Sequence, residues 1–83
     1  MTYHRQKREI IQAEVSAELL RAMTNNAKFN SAHEGYAVLL EELDELWEEV
    51  KRNDRGKQYE EGIQVAAMAL RFLYDLFGDE PIE

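Results

Sequence analysis

Carboxylates recur at helical spacing in the middle of this 83-residue sequence. The segment AHEGYAVLLEELDELWEEV, residues 32–50, contains seven of them. Steps of three and four residues bring four to one helix face: Glu41, Glu42, Glu45 and Glu49. Like charges at these spacings repel by roughly a few tenths of a kcal/mol per pair, so this acidic stripe needs solvent, basic neighbours or a cation. Mg²⁺ is one such cation, because it takes hard oxygen ligands such as carboxylates, water and phosphate.

Three explanations of the acidic stripe stay open on spacing alone. A solvated face balanced by Lys51 and Arg52 is the usual meaning of a charge run. A protein-binding face for a basic partner is the second, and a divalent-metal site is the third. On the next helix, Glu61 lies between Val65 and Met68 on an apolar face, where a carboxylate is costly unless something pairs with it. Alternatively, Glu61 is partly exposed and complements the dipole at the helix start.

Three helices are predicted to position these side chains. The single proline is at position 81, and the many helix-forming residues give little reason to expect strands. The first helix is predicted over residues 5–23, because its apolar residues recur at spacings of four and three. The residues on this face are Ile11, Val15, Leu19, Ala22 and Met23.

The second and third helices form the hairpin that carries the carboxylates, residues 31–77. Ser31 and Glu34 have the spacing of a capping box, in which each side chain bonds the other residue's amide. The second helix is predicted to end near residue 52, before the turn NDRG, whose glycine suits a left-handed backbone. The third helix is predicted over residues 57–77, and glycine and proline follow it.

The apolar residues exceed what one chain of three helices can cover. An apolar arc on the second helix is predicted to be core: Tyr36, Leu39, Leu40, Leu43, Leu46, Trp47 and Val50. The third helix is apolar nearly all round, and its Gly62 lowers helix propensity by roughly 1 kcal/mol, which suggests close approach of another backbone or a ligand. We therefore predict a homo-oligomer, a dimer or tetramer, in which hairpins of two chains pack as a four-helix bundle. The alternative is a loose monomer with an exposed apolar patch.

Composition narrows the class of protein. The length fits one domain over residues 1–83, and the absence of cysteine excludes disulfides and thiolate metal sites. A net charge of −7 opposes binding to nucleic acids and to anionic membranes, although a basic start (Arg5, Lys7 and Arg8) keeps a nucleic-acid arm as an alternative. No apolar run has the length of a membrane span or of a signal peptide, so we expect a cytoplasmic protein.

Two motifs resemble those of a known family. EELDE, residues 41–45, matches the pattern E-E-x-x-E, and EGIQ, residues 61–64, stands where E-x-x-D follows on the next helix. Together they resemble the MazG-like, all-α nucleoside triphosphate pyrophosphohydrolases over roughly residues 29–77. The resemblance implies an oligomeric helical bundle that hydrolyses a nucleoside triphosphate between its α- and β-phosphates.

The resemblance also implies roles for particular residues. Glu41, Glu42, Glu45 and Glu61 would hold Mg²⁺, with Glu42 and Glu45 as the catalytic carboxylates. Gln64 departs from the pattern, because a neutral amide replaces the family's aspartate; it is kept as an outer-shell or substrate contact, and its presence weakens the expectation of catalysis.

Further side chains are weaker candidates for contacts with a substrate. Lys28, Lys57 and Arg71 could neutralise a triphosphate, although each also fits an ordinary surface charge. Phe29 or Trp47 could stack on a base, although Trp47 also fits the core. The alternative function is a non-catalytic helical homo-oligomer that acts as a protein-interaction module.

Overall fold

The computed structural model describes residues 2–81, which form three α-helices and no strand. The helices are α1 (Thr2–Asn25), α2 (Ala32–Lys51) and α3 (Arg55–Phe77). The prediction of an all-α chain with three helices is confirmed. Helix α3 packs against both α1 and α2, whereas no close backbone approach joins α1 to α2 in the described residues.

Contacts between the helices fix their directions. The Tyr59 hydroxyl donates to Glu14 near the start of α3, and Arg71 donates to the Ala27 carbonyl near its end, so α1 and α3 run parallel. The Gln58 side chain donates to the Glu49 carbonyl, so the end of α2 lies beside the start of α3. Helix α2 is therefore antiparallel to α3, and the acidic part of α2 faces the first half of α3.

The start of α2 follows the predicted capping pattern in part. Ser31 is the N-cap, and its hydroxyl accepts from the Glu34 amide at 3.1 Å. The Glu34 carboxylate accepts from the amide of Asn30, one residue before the amide that the capping box predicts. The Ser31 bond satisfies an amide that the first helical turn leaves without a partner, and the Glu34 bond satisfies an amide of the loop before the helix.

The turn between α2 and α3 differs from its prediction. Asn53, with φ of 59°, adopts the left-handed conformation, whereas Gly56 already lies in the first turn of α3. Asparagine tolerates this conformation because its short polar side chain bonds locally. Asp54 caps α3 by accepting from the Lys57 amide at 3.0 Å, so the helix begins two residues earlier than predicted.

The core of the chain lies where α1 meets α3. Val15 and Ala22 of α1 are buried against Ala67 and Met68 of α3, which confirms the apolar face predicted for α1. The residues packed around this centre are partly buried: Ile11, Leu19, Val38, Leu39, Ile63 and Ala66. The core is small, because Ala67 and Ala22 allow the helices to approach without filling much volume.

The apolar arc of α2 is only partly covered within the single chain: Leu39 packs against the core and Leu46 is partly buried, whereas the other members are exposed. Leu43 is 49% exposed and Trp47 is 56% exposed. Among the described residues, the backbone of α2 closely approaches that of α3 alone, and α2 turns Gly35 and the partly buried Glu42 towards that helix. We call the exposed set the α2 apolar face: Tyr36, Leu40, Leu43, Trp47 and Val50.

Close approach between helices occurs at Gly35 and not at Gly62. A Cβ at Gly35 would lie 2.7 Å from the ring of Phe72 and 3.1 Å from that of Phe29. A Cβ at Gly62 would meet no atom within 4 Å among the described residues, so the predicted close approach there does not occur within the chain. No helix in the described part of the chain is long and apolar enough to cross a membrane.

Candidate functional site

Three glutamates from two helices converge at the α2–α3 contact. Glu42 and Glu45 lie one turn apart on α2, and the antiparallel packing sets Glu61 of α3 beside them. One carboxylate oxygen from each lies within 4.8 Å of the other two. We call this set the glutamate trio. Spacing along α2 predicted its first two members, and the position of Glu61 on an apolar face of α3 predicted the third.

Burial and repulsion from neighbouring carboxylates disfavour the charged forms of Glu42 and Glu61. Burial raises the pKa of Glu42 to about 7, with further contributions from Glu45 and Glu61. Burial also raises the pKa of Glu61, and repulsion from Glu45 adds to that rise. The Oε2 atom of Glu61 is buried and has no hydrogen-bond partner among the described residues. The trio therefore has less compensation for its charge than a solvated acidic face would have.

The nearby basic residues, Lys51 and Arg52, form ion pairs with carboxylates outside the trio. Lys51 pairs with Glu48 at 2.9 Å, and Arg52 pairs with Glu49 at 3.2 Å. No ion pair formed within residues 4–81 includes a member of the glutamate trio. Within the described residues, Arg52 therefore balances only Glu49 of the acidic stripe, and neither Lys51 nor Arg52 balances the charge of the trio.

Glu49 extends the cluster towards the end of α2. Its side chain is 12% exposed, and its Oε1 atom is buried without a hydrogen-bond partner in the described residues. Its charge contributes to the raised pKa of Glu61. Sequence reasoning placed Glu49 on the stripe without a role at the site, because its depth depends on how α3 crosses α2.

The other predicted site residues lie at different distances from the trio. Glu41 is exposed and outside the trio, although its charge adds to the raised pKa of Glu42. Lys57 is exposed in the first turn of α3, one turn before Glu61. Lys28 lies beside Asp79, with 3.9 Å between Nζ and Oδ2. Because Asp79 follows the end of α3, Lys28 is roughly 24 Å along that helix from Glu61, at 1.5 Å per residue.

Gln64 faces α1 from the turn after Glu61. It lines a groove of about 360 Å³ between α1 and α2, above α3, and Glu42 lies at the same groove. Across the groove, Arg21 donates to Glu18. That bond holds the pKa of Glu18 below its ordinary value, with a smaller contribution from the Gln64 side chain. Sequence reasoning missed this part of α1, whose only signal was its apolar periodicity.

Arg71 is a structural residue, so its placement on a polar surface is wrong. It is 7% exposed, donates to the Ala27 carbonyl at 2.9 Å and pairs with Asp75 at 3.3 Å. Its guanidinium lies 4.0 Å from the centre of the Phe29 ring, and Asp75 also accepts from the Phe29 amide. These bonds fasten the α1–α2 loop to α3. They also hold Phe29 in the interior, where it cannot stack on a base.

The fold and the site together define a class: an all-helical chain in which carboxylates from two antiparallel helices meet at a partly buried point. Comparisons of the chain with family models, with curated proteins and with solved structures gave no match. Any more particular assignment therefore rests on the motifs and on the geometry of the described residues.

Proposed function

We propose that the protein is a MazG-like, Mg²⁺-dependent nucleotide-binding protein that hydrolyses nucleoside triphosphates to the monophosphate and pyrophosphate. The observation that carries the proposal is the convergence of Glu42, Glu45 and Glu61, whose carboxylate oxygens lie within 4.8 Å of one another. The buried, unpartnered Oε2 atom of Glu61 adds a specific reason for a cation at this point. Neither feature is needed for packing α2 against α3.

The donor set fits Mg²⁺ chemically. The trio offers hard carboxylate oxygens, and Glu45 is exposed, which leaves the point open to water and phosphate oxygens. Glu42, Glu45 and Glu61 would hold the ion, with exposed Glu41 as a further predicted ligand. A bound Mg²⁺ would neutralise phosphate charge and lower the pKa of its water.

The chain's own residues have separable roles in the proposed reaction. Water would form a bond to the α-phosphorus while the bond to the bridging oxygen breaks, and a carboxylate would take the water's proton. Glu42 suits that role, because it lies at both the trio and the groove. Lys57 could approach the pyrophosphate from one turn before Glu61, and Gln64 could contact substrate within the groove.

The proposal includes self-association. The α2 apolar face is exposed on a single chain, and an apolar surface of this kind usually marks an interface. Two hairpins packed through this face would form a four-helix bundle and leave the groove beside α1 on the outside.

The first test is binding of the metal without nucleotide. Calorimetric titration of Mg²⁺ is expected to detect binding that Glu45→Gln or Glu61→Gln weakens by roughly tenfold or more, because each variant removes a charged oxygen ligand. Glu48→Gln is the matched control, since Glu48 is an exposed glutamate on the same helix and pairs with Lys51. Equal binding by all three variants, or no binding by the parent protein, would favour the protein-interaction module.

The second test is catalysis. Mg²⁺-dependent release of pyrophosphate is measured on a panel of ribo- and deoxyribonucleoside triphosphates, with the parent protein beside Gln64→Asp. We expect the variant to turn over faster, because an aspartate supplies the charged oxygen that the family's motif has at this position. A variant no faster than the parent would contradict the assignment of Gln64 to the motif.

A further inference from the structure

The groove beside α1 adjoins the glutamate trio, and the proposed reaction assigns a role to only two of its lining residues, Glu42 and Gln64. Its volume of about 360 Å³ lies within the range of small-molecule pockets. Helix α1 forms one wall and α2 the other, while Gln64 and Met68 of α3 form the floor. The groove is continuous with the trio, because Glu42 belongs to both.

The helix directions give the groove two ends. Glu42 of α2, Glu18 of α1 and Gln64 of α3 lie at the end next to the trio. Asn25, Asn26 and Arg71 lie at the other end, towards the α1–α2 loop. Gln64 and Arg71 are seven residues apart on α3, so the groove extends roughly 10 Å away from the trio at 1.5 Å per residue.

The lining changes character along this length. Arg21 lies one turn along α1 from Glu18 and pairs with that carboxylate, while its own side chain is 63% exposed. Ala22, Val38 and Met68 supply an apolar middle. At the far end, the Asn26 side chain donates to the Ala22 carbonyl at 2.8 Å, which leaves its own oxygen able to accept. Asn25 is exposed at the last position of α1.

The order of side chains along the groove, with an arginine first, then an apolar strip and then two carboxamides, suits a nucleoside attached to phosphate. A guanidinium binds phosphate oxygens through two parallel hydrogen bonds, and a carboxamide can both donate to and accept from the edge of a base. An apolar strip between them suits the faces of a base. Surface charge alone would not explain two carboxamides and an arginine around an apolar strip that begins at the trio.

We propose that this groove binds the nucleoside half of the triphosphate, with Arg21 on the phosphate next to the sugar, the base over Met68, and Asn25 and Asn26 on the edge of the base. This proposal rests on the proposed function, because it assumes that the phosphates lie at the glutamate trio. It makes α1, which carries no motif, the element that selects the substrate.

The test compares a nucleotide with a phosphate chain that has no nucleoside. Binding of Mg²⁺ with each of several deoxynucleoside triphosphates, and with inorganic tripolyphosphate, is measured for the parent, Arg21→Gln and Asn25→Ala. Arg5→Gln is the matched control for the first variant, because it makes the same charge change on α1 and Arg5 pairs with Glu9 on the exposed surface. Thr24→Ala, which changes the neighbouring exposed residue, is the control for the second.

The parent is expected to bind one or more nucleotides at least roughly tenfold more tightly than tripolyphosphate, since only a nucleotide can use the apolar strip and the two carboxamides, whose hydrogen bonds together contribute about that much. Arg21→Gln is expected to lose roughly tenfold in nucleotide affinity, because the guanidinium bonds a charged phosphate. Asn25→Ala is expected to weaken the nucleotide and leave tripolyphosphate unchanged. The two controls are expected to bind as the parent does.

Different failures overturn different claims. Equal affinities for nucleotide and tripolyphosphate in the parent, or unchanged nucleotide binding by Arg21→Gln and Asn25→Ala, would overturn the groove proposal alone. Absence of binding by both ligands, together with absence of Mg²⁺ binding, would overturn the proposed function and the groove proposal with it. Circular dichroism of each variant checks that the helices are intact.

Discussion

The burial of Glu42 beside other carboxylates predicts how stability depends on pH. Its pKa rises from 4.5 to about 7 on folding, so the folded chain holds a proton more tightly than the unfolded chain between these values. Stability therefore falls as pH rises through this window. One pKa unit corresponds to about 1.36 kcal/mol. Solvent screens this partly exposed group, so we expect a decrease of only about 1 kcal/mol.

Urea unfolding at pH 5, 6, 7 and 8 in the presence of a chelator measures this dependence. Glu42→Gln is expected to flatten it and to raise the free energy of unfolding at pH 8, because the amide carries no charge to desolvate. Asp44→Asn is the control, since Asp44 is an exposed carboxylate on the same helix and outside the trio. A pH dependence that is the same in both variants would show that Glu42 is not its source.

Arg71 gives a second prediction at the residue scale. Removing one partner of a buried ion pair leaves the other charge uncompensated, so Arg71→Met is expected to lower the free energy of unfolding by about 3 kcal/mol. Adding Asp75→Asn should recover part of this loss, because the amide removes the unpaired charge and its oxygen can still accept from the Phe29 amide. Urea unfolding of both single variants and the double variant measures the coupling. A double variant no more stable than Arg71→Met would contradict the assigned role.

Sequence reasoning identified the site residues that depend on local spacing, and it missed those that depend on contacts between residues far apart in the chain. Glu42 and Glu45 share a face because of spacing within one helix, and this is readable from the sequence. Arg71 is buried because it reaches Ala27, 44 positions away, and such a contact leaves no trace in local periodicity. Arg21 likewise acquires its place at the groove only from the parallel packing of α1 against α3.

Helix α2 has an exposed apolar face beside the face that meets α3, and Gly35 shows how closely it approaches α3. Gly35→Ala would place a Cβ 2.7 Å from the Phe72 ring. We expect this variant to lose about 1–3 kcal/mol in free energy of unfolding, even though alanine is the better helix former. The loss follows from overpacking between helices, and thermal or urea unfolding measures it.

Gly62→Ala is the matched substitution, because it makes the same change inside α3 where no described atom lies within 4 Å. It is expected to gain about 0.5–1 kcal/mol from helix propensity alone. A loss at Gly62 would instead indicate that a second chain packs there. Equal effects at the two glycines would contradict the packing of α2 on α3.

The sequence predicted the helices better than their boundaries. Apolar periodicity is repeated over many residues, so all three helices and the buried face of α1 could be predicted. The boundaries depend on single side chains: Asp54 starts α3 early, and Asn53 takes the left-handed position that the pattern assigned to Gly56. Periodicity also located the α2 apolar face, although it could not say whether the same chain or another would cover that face.

At the scale of the whole molecule, two facts about apolar surface favour self-association. The buried apolar residues in the described chain are few and include two alanines: Val15, Ala22, Phe29, Ala67 and Met68. Meanwhile the larger side chains of the α2 apolar face are exposed, and a shallow apolar pocket beside Tyr36 continues onto Leu73 of α3. A second copy of the chain would cover the α2 apolar face that a single chain leaves exposed. Burying that face would add stability that the small core of one chain does not supply.

The last prediction concerns this association. Leu43→Glu places a charge at the centre of the α2 apolar face, and because Leu43 is already 49% exposed, the chain's own packing should lose little. Sedimentation velocity is expected to give a multiple of 9.7 kDa for the parent and 9.7 kDa for the variant. Thermal unfolding should depend on protein concentration only in the parent. Leu20→Glu is the control, since Leu20 is an exposed leucine on α1, away from this face. A parent that sediments as a single chain at every concentration, or two variants that dissociate alike, would show that this face is not the interface.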